Sequence, residues 1–252
     1  MLLTVDIGNT NITMGLFDGD NFVKEFRLLS DIKLSVAEYE VLLKSILCDY
    51  FVENCICASV VDELSDVVRI ALNSVLGFEV TFIDSDFNTG VRIIADNPKE
   101  AGADRIANAA AVSTKYAGRA VIVVDFGTAT TFDIVNSKGD FCGGIIAPGL
   151  NTQLESLYSS TSKLPKIDVA PIGKVLAINT IDAILAGVVR GTACMVDGLI
   201  LQCEKELGES VVLVGTGGYC SLIQNYTSRK FDEVNPILTL QGLRDIFKRT
   251  MQ

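Results

Sequence analysis

Histidine and tryptophan are both missing from this chain of 252 residues, and proline is sparse at five. Without histidine, zinc would have to be held by cysteine, yet the seven cysteines contain no C-x-x-C pair and only Cys55 and Cys57 lie close together. A zinc site is therefore not expected. The cysteines are odd in number and sit in apolar stretches, which points to buried free thiols and a reducing compartment. No basic run is longer than Lys248-Arg249, and the formal net charge is −10. Gripping nucleic acid depends on clustered Lys and Arg, so that class of function falls away. The first residues lack the succession of basic segment, apolar stretch and cleavage site that marks a secretory leader. The most apolar long window, 181–203, carries Asp182, Arg190 and Asp197 and so falls short of a membrane span. A cytoplasmic protein away from membranes is expected. Two common nucleotide signatures are also missing, the G-x-x-x-x-G-K-[ST] loop and G-x-G-x-x-G after the first strand.

What is present is a globular chain with ample core, 49% hydrophobic and 21% charged. Aromatics make up only 7%, which leaves aliphatic side chains to fill the interior. The length sits near the point where a single core stops growing, roughly 250 to 300 residues. The sequence also says one thing twice. Asp6-Ile7-Gly8-Asn9-Thr10-Asn11-Ile12-Thr13 returns in the second half as Asp125-Phe126-Gly127-Thr128-Ala129-Thr130-Thr131-Phe132. Each copy starts with an aspartate at the end of an apolar strand and runs through glycine and polar side chains into a second strand and a turn. Asp-x-Gly is ordinary turn chemistry when it occurs once. Twice in matching context, it reads as a pair of phosphate cradles: glycine lets backbone N–H groups approach an anion, Thr and Asn add donors, and the aspartate holds a cation. An acidic protein that binds a polyphosphate needs a metal to offset like-charge repulsion.

The surrounding pattern repeats too. In the first half, strands at about Leu2–Val5, Ile12–Phe17 and Phe22–Leu28 are joined by tight turns. A helix follows, opened by the Ser35/Glu38 capping box, then a strand at Cys55–Val60, a helix near Glu63–Leu76 and a strand at Glu79–Ile83. Asn97-Pro98 starts a helix through about Tyr116, with Asn97 as its cap. From Ala120 the sequence restarts with strands at Ala120–Asp125, Thr130–Asn136 and Phe141–Ala147, a helical segment after Pro148-Gly149, and an irregular link from Ser159 to Ala177. A long helix at Thr180–Glu206, a strand at Val211–Val214 and a last helix at Leu240–Arg249 complete it. This is a duplicated α/β fold, with halves 1–117 and 118–252.

Three features stand out from that frame. Gly215-Thr216-Gly217-Gly218 after a strand is either a surface for a base or ribose, or a simple loop. Gly187-x-x-x-Gly191 on the long helix suits close packing, within the chain or against a second copy. Gly102-Ala103-Asp104-Arg105 lies in an alanine-rich helix. Its charges are either a solvated pair or a carboxylate able to accept a hydroxyl proton beside an arginine able to hold an anion, as phosphate transfer to an alcohol requires.

Asp6–Thr13, Asn97-Pro98-Lys99-Glu100 with Gly102-Ala103-Asp104-Arg105, Asp125–Thr131, Gly143-Gly144-Ile145-Ile146-Ala147-Pro148-Gly149, Leu164-Pro165, Thr216-Gly217-Gly218 and Leu238–Leu243 together resemble the type III pantothenate kinase family, of the acetate and sugar kinase, Hsc70 and actin superfamily. The match runs in order over nearly the whole chain. The resemblance implies two ribonuclease H-like domains of actin type, each a mixed sheet with three antiparallel strands followed by alternating helices and strands. It implies ATP-dependent phosphorylation of pantothenate, the first step towards coenzyme A. Asp6, Ile7, Gly8, Asn9, Thr10, Asn11, Ile12 and Thr13 would form the ATP phosphate loop, with Thr128 touching ATP from the second hairpin. Asp104 would be the general base, and Gly102, Ala103, Arg105 and Thr180 would line the pantothenate pocket. Mg²⁺ would be used, with a possible contact from Asp6, and Asp125 would help bind a monovalent cation, K⁺ or NH₄⁺. The site would lie at a homodimer interface. A tyrosine of the family pattern seven residues before Gly102 is Ala95 here, so one pantothenate contact is missing. On the same scaffold a non-catalytic regulator or a phosphohydrolase would be the alternatives, separated by assays with and without pantothenate.

Overall fold

The computed structural model describes residues 1–83 and 87–250, and their packing falls into two units. Unit 1 is Met1–Lys115 with Ile237–Gln252; unit 2 is Tyr116–Pro236.

Unit 1 opens with strands β1 (Leu2–Ile7), β2 (Asn11–Asp18) and β3 (Asn21–Leu29), an antiparallel meander. Strict alternation sends Leu3, Val5 and Ile7 of β1, with Ile12, Met14 and Leu16 of β2, into one core. Helix α1 (Val36–Leu47) starts on the expected box, with Ser35 and Glu38 bonding reciprocally, and lays Tyr39 and Leu43 on that core. Strand β4 (Asn54–Ser59) runs parallel to β1. Helix α2 (Asp62–Leu76) adds Leu64 and Val68 and ends on Gly77 in the left-handed region, where glycine carries no Cβ penalty. The short β5 (Thr81–Phe82) pairs parallel with β4, giving the order β3-β2-β1-β4-β5.

The helix expected from Asn97 to Tyr116 is two pieces. A single 3₁₀ turn spans Pro98–Glu100, Ala101 is extended, and helix α3 runs over Ala103–Lys115. Asn97 does not cap the backbone; its amide donates to Glu100 Oε1 at 2.8 Å. Gly102, a weak helix former, sits at the break and leaves Asp104 in the first turn of α3. The last helix, α8 (Leu238–Thr250), was expected in the second half but packs in unit 1. The reason is on the sheet: β1 and β2 turn a second face outward through Thr4 and Gly15, and Leu240 of α8 covers Gly15. Gly242 lets α8 lie directly on α3, because any Cβ there would overlap the carbonyl of Ala107.

Unit 2 repeats the plan. Strands β6 (Ala120–Phe126), β7 (Ala129–Val135) and β8 (Phe141–Pro148) form an antiparallel meander, and helix α4 (Leu150–Ser159) follows. Residues 160–179 contain no regular element, as expected for the link. The long helix is real but interrupted: α5 (Thr180–Leu185) passes through a π-helical turn at Ala186–Arg190 into α6 (Gly191–Leu207). Strand β9 (Val211–Thr216) lies parallel to β6, and after helix α7 (Cys220–Ile223) the short β10 (Glu233–Val234) pairs parallel with β9. The order β10-β9-β6-β7-β8 is that of unit 1. Strand β10 and helix α7 escape a periodicity reading because two to four residues are too short for one.

Two further readings change. By length and composition the helix over Thr180–Leu207 does suffice to cross a membrane, since it holds an 18-residue window with a mean hydropathy of 1.7 and no more than two charged residues. Half of that window is buried in the unit, with Val188, Val189, Val196 and Ile200 in the core, so its apolarity is that of a core helix. All seven cysteines are free, but only Cys55, Cys57, Cys203 and Cys220 are buried; Cys48 and Cys194 are exposed.

Candidate active site

In unit 1, β1 delivers Asp6 opposite Thr13 of β2, at the carboxyl end of a strand flanked by a parallel neighbour. Ligands of open α/β sheets bind at such ends. The connecting turn is Gly8-Asn9-Thr10, closed by Gly8 N–H donating to Asn11 O at 3.0 Å. The end of β3 secures it: Ser30 N–H donates to Thr10 O at 3.0 Å, and Ser30 Oγ donates to Gly8 O at 2.5 Å. Two carbonyls are thus held back, while Asn9 and Thr10 stand exposed. Asp6, Gly8, Asn11 and Thr13 are half-buried. Ile7 and Ile12 are fully buried core residues, so only their backbone can serve a ligand.

Asp104 approaches the same strand ends. Val60, just beyond β4, donates its N–H to Ile7 O at 3.1 Å. A Cβ built on Gly102 would stand 3.6 Å from Val60 Cγ1 and 2.6 Å from Asp104 Oδ1. The carboxylate therefore folds back over Gly102, and glycine is what makes room for it. Arg105 N–H donates to Asp104 Oδ1 at 2.8 Å. Burial raises the Asp104 carboxyl above its ordinary value, outweighing that hydrogen bond and the charge of Arg105, which both lower it. Ala103 is buried, Gly102 and Arg105 are half-buried, and Ala95 is exposed in an irregular segment.

In unit 2 the matching hairpin is one residue tighter. Asp125 pairs with Thr131, and the turn is only Gly127-Thr128, with Gly127 N–H donating to Ala129 O at 3.0 Å. Helix α4 takes the role that Ser30 plays in unit 1. Gly149 N–H donates to Thr128 O at 3.1 Å, and Thr152 Oγ1 donates to the same oxygen at 2.7 Å. Any side chain at 149 would overlap the carbonyl oxygens of Gly127 and Thr128. Gly217, with φ +84°, is pressed on Asp125 and Phe126 so closely that a Cβ would overlap both. The glycine loop after β9 is thus an exact-fit neighbour of Asp125 rather than a simple loop. Burial, and then the charge of Asp125, push the Cys220 thiol up to about 12.

Thr180 follows in α5 of the same unit. It is the exposed first residue of α5, whose Asn179 cap accepts from Asp182 N–H at 2.9 Å. It lines a cavity of about 650 Å³ between α4 and α5, with Thr152, Gln153, Ser156, Leu157 and Ala183. Within each unit the expected residues therefore gather: Asp6–Thr13 with Gly102–Arg105, and Asp125 with Thr128 and Gly217. The supporting residues Ser30, Val60 and Thr152 carry no sequence signal, since each acts through one bond to a residue distant in the chain. Gly149 left a trace in the Pro148-Gly149 pair.

A family model described as type III pantothenate kinase matches residues 2–202. The type III pantothenate kinase of Citrifermentans bemidjiense is 41% identical over 254 residues, covering 99% of both chains. Among solved structures, a Baf family protein from Campylobacter jejuni has a TM-score of 0.61 at 22% identity, covering 99% of this chain and 98% of that one. The activator of 2-hydroxyisocaproyl-CoA dehydratase from Clostridium difficile, with ADPNP bound, has a TM-score of 0.56 at 14% identity, covering 99% and 96%. The two structural likenesses establish the fold over nearly the whole chain.

Proposed function

This chain belongs to the type III pantothenate kinase family, and from that premise we propose how its own residues carry the reaction. The activity is ATP-dependent phosphorylation of pantothenate in coenzyme A biosynthesis. Asp104 is the general base, and its setting carries the assignment: a carboxylate folded over Gly102 at the strand ends of unit 1, with burial raising its pKa. A raised carboxyl is a stronger base near the working pH. The hydroxyl oxygen of pantothenate attacks the γ-phosphorus, the new O–P bond forms as the bond to ADP breaks, and the hydroxyl proton passes to Asp104. Phosphopantothenate and ADP result. Gly102, Ala103, Arg105 and Thr180 bind pantothenate, with Arg105 suited to its carboxylate. Asp6 to Thr13 cradle ATP phosphates through backbone N–H groups and the exposed Asn9 and Thr10 side chains. Thr128 contacts ATP from its own hairpin.

The donor chemistry fits the cations the family implies. Each cradle offers one carboxylate, Asp6 or Asp125, and a cation beside it would complete its shell with phosphate, carbonyl and water oxygens, the usual habit of Mg²⁺. Asp6 would face Mg²⁺, which supplies neutralisation of phosphate charge when bound. Asp125, whose neighbour Gly217 has no side chain to crowd the carboxylate, would hold K⁺ or NH₄⁺. A homodimer with the site at its interface is supported by an apolar surface around α5. Ile178 is 100% exposed and Leu176 is 87% exposed. A Cβ at Gly187, Gly191 or Gly198 would meet nothing within 4 Å, so packing within the chain does not demand these glycines. The free thiols suit the cytoplasm.

The deciding experiment is Asp104→Asn. Turnover should drop at least about 100-fold, the low end for a lost general base, while an ATP analogue binds as before. Full turnover in that variant overturns the assignment.

A further inference from the structure

The turn of the unit 2 hairpin is two exposed residues, Gly127 and Thr128, closed by one bond of its own, Gly127 N–H to Ala129 O at 3.0 Å. Its other carbonyl is gripped from outside. The Thr128 carbonyl accepts twice, from Gly149 N–H at 3.1 Å and from Thr152 Oγ1 at 2.7 Å. Both donors come from the start of α4, where Gly149 is the N-cap and Thr152 the third helical residue. Because a trans peptide is planar, turning the Thr128 C=O towards α4 turns the Ala129 N–H the opposite way. The two bonds therefore set the orientation of the whole peptide after Thr128. The backbone donor is available to any sequence that tolerates glycine at 149. The hydroxyl is not: it exists only because residue 152 is threonine.

We propose that Thr152 is a positioning residue for ATP, its hydroxyl acting through the Thr128 carbonyl to hold the Gly127-Thr128 turn in the shape that grips the nucleotide. This rests on the reading that Thr128 contacts ATP. In unit 1 the same task falls to Ser30, whose hydroxyl donates to Gly8 O at 2.5 Å. Each copy of the cradle is thus held by one hydroxyl supplied from outside it, from β3 in one unit and from α4 in the other. Thr152 is exposed, so changing it leaves the core alone.

The test compares Thr152→Val, which keeps the shape and removes the hydroxyl, with Thr152→Ser, which keeps the hydroxyl. Thr152→Val should raise KM for ATP about three- to ten-fold, as expected for one lost hydrogen bond, with Tm lower by no more than a few degrees. Thr152→Ser should restore KM for ATP to within about two-fold of the parent, since the bond can re-form. A purely structural role would instead lower Tm and leave KM for ATP of the folded enzyme where it was. An unchanged KM for ATP in Thr152→Val, or failure of serine to restore it, overturns the proposal. Thr128→Ala, read by titration with a non-hydrolysable ATP analogue, separates the two layers. Unaltered binding there removes the reading on which the proposal stands, whereas weakened binding there with a silent Thr152→Val removes the proposal alone.

Discussion

At the scale of single residues, Asp104 shows opposing effects with a clear winner. Its place in the first turn of α3, the Arg105 N–H and the Arg105 charge all favour the ionised carboxylate. Burial, with the carboxylate folded against Gly102, disfavours it and prevails. A carboxyl raised in this way makes its folded-state contribution in full below its unfolded pKa, and loses it as pH rises through the folded one. At neutral pH the native protein therefore bears the whole cost of a desolvated charge. Asp104→Asn, besides losing turnover, should melt at a higher temperature than the parent at pH 7, and the gap should close as pH falls below the carboxylate range. Melting curves at both pH values check this; an equal or lower Tm at pH 7 would refute the desolvation. Asp125 is the residue proposed to hold the monovalent cation. Removing its charge in Asp125→Asn should flatten the dependence of turnover on added K⁺ or NH₄⁺, and a variant that still responds like the parent would take the cation site elsewhere.

At the scale of elements, the hairpins matter less than what braces them. The sequence announces each cradle through Asp-x-Gly, yet the turns are fixed by Ser30 at the end of β3 and by Gly149 and Thr152 at the start of α4. Helix α3 makes the same point in a different way. Alanine-rich periodicity suggests one helix from Asn97, but Gly102 breaks it and the break puts the carboxylate at a helix start. The α3–α8 contact offers a direct check. Gly242→Ala would gain about 1 kcal/mol in helix propensity. Its Cβ would, however, overlap the Ala107 backbone, and overpacking of that kind costs about 1–3 kcal/mol and cannot be relieved by a rotamer change. Net destabilisation is expected, seen as a lower urea midpoint; a midpoint at or above the parent's would mean that the helices are not in such close register.

At the scale of the molecule, one plan is used twice, and the chain returns at its C-terminal end to finish the first copy. The sheet order of the two units corresponds strand for strand, with the cradle hairpin one residue shorter in unit 2. The glycine face of α5–α6 fits neither copy's internal needs, since side chains at Gly187, Gly191 and Gly198 would meet open space. If that face seats a second copy, Gly191→Arg should convert a dimer to a monomer in sedimentation velocity with an unchanged circular dichroism spectrum, and turnover should fall with it. A parent protein that sediments as a monomer at micromolar concentration would end the dimer reading.

The sequence by itself determined the local and periodic facts: the apolar runs and tight turns that make β1, β2, β6 and β7, the capping box of α1 and the duplicated Asp-x-Gly hairpin. These follow from neighbours in the chain, where spacing and side-chain type already carry the physics. Only the tertiary structure decided what covers what. It brought α8 over Gly15, set Gly217 on Asp125, folded Asp104 back over Gly102 and placed the Thr152 hydroxyl on the Thr128 carbonyl. Each is a contact between surfaces that the chain order keeps apart. Such contacts are chosen by steric fit and by the need to satisfy buried polar groups, and no local pattern encodes them.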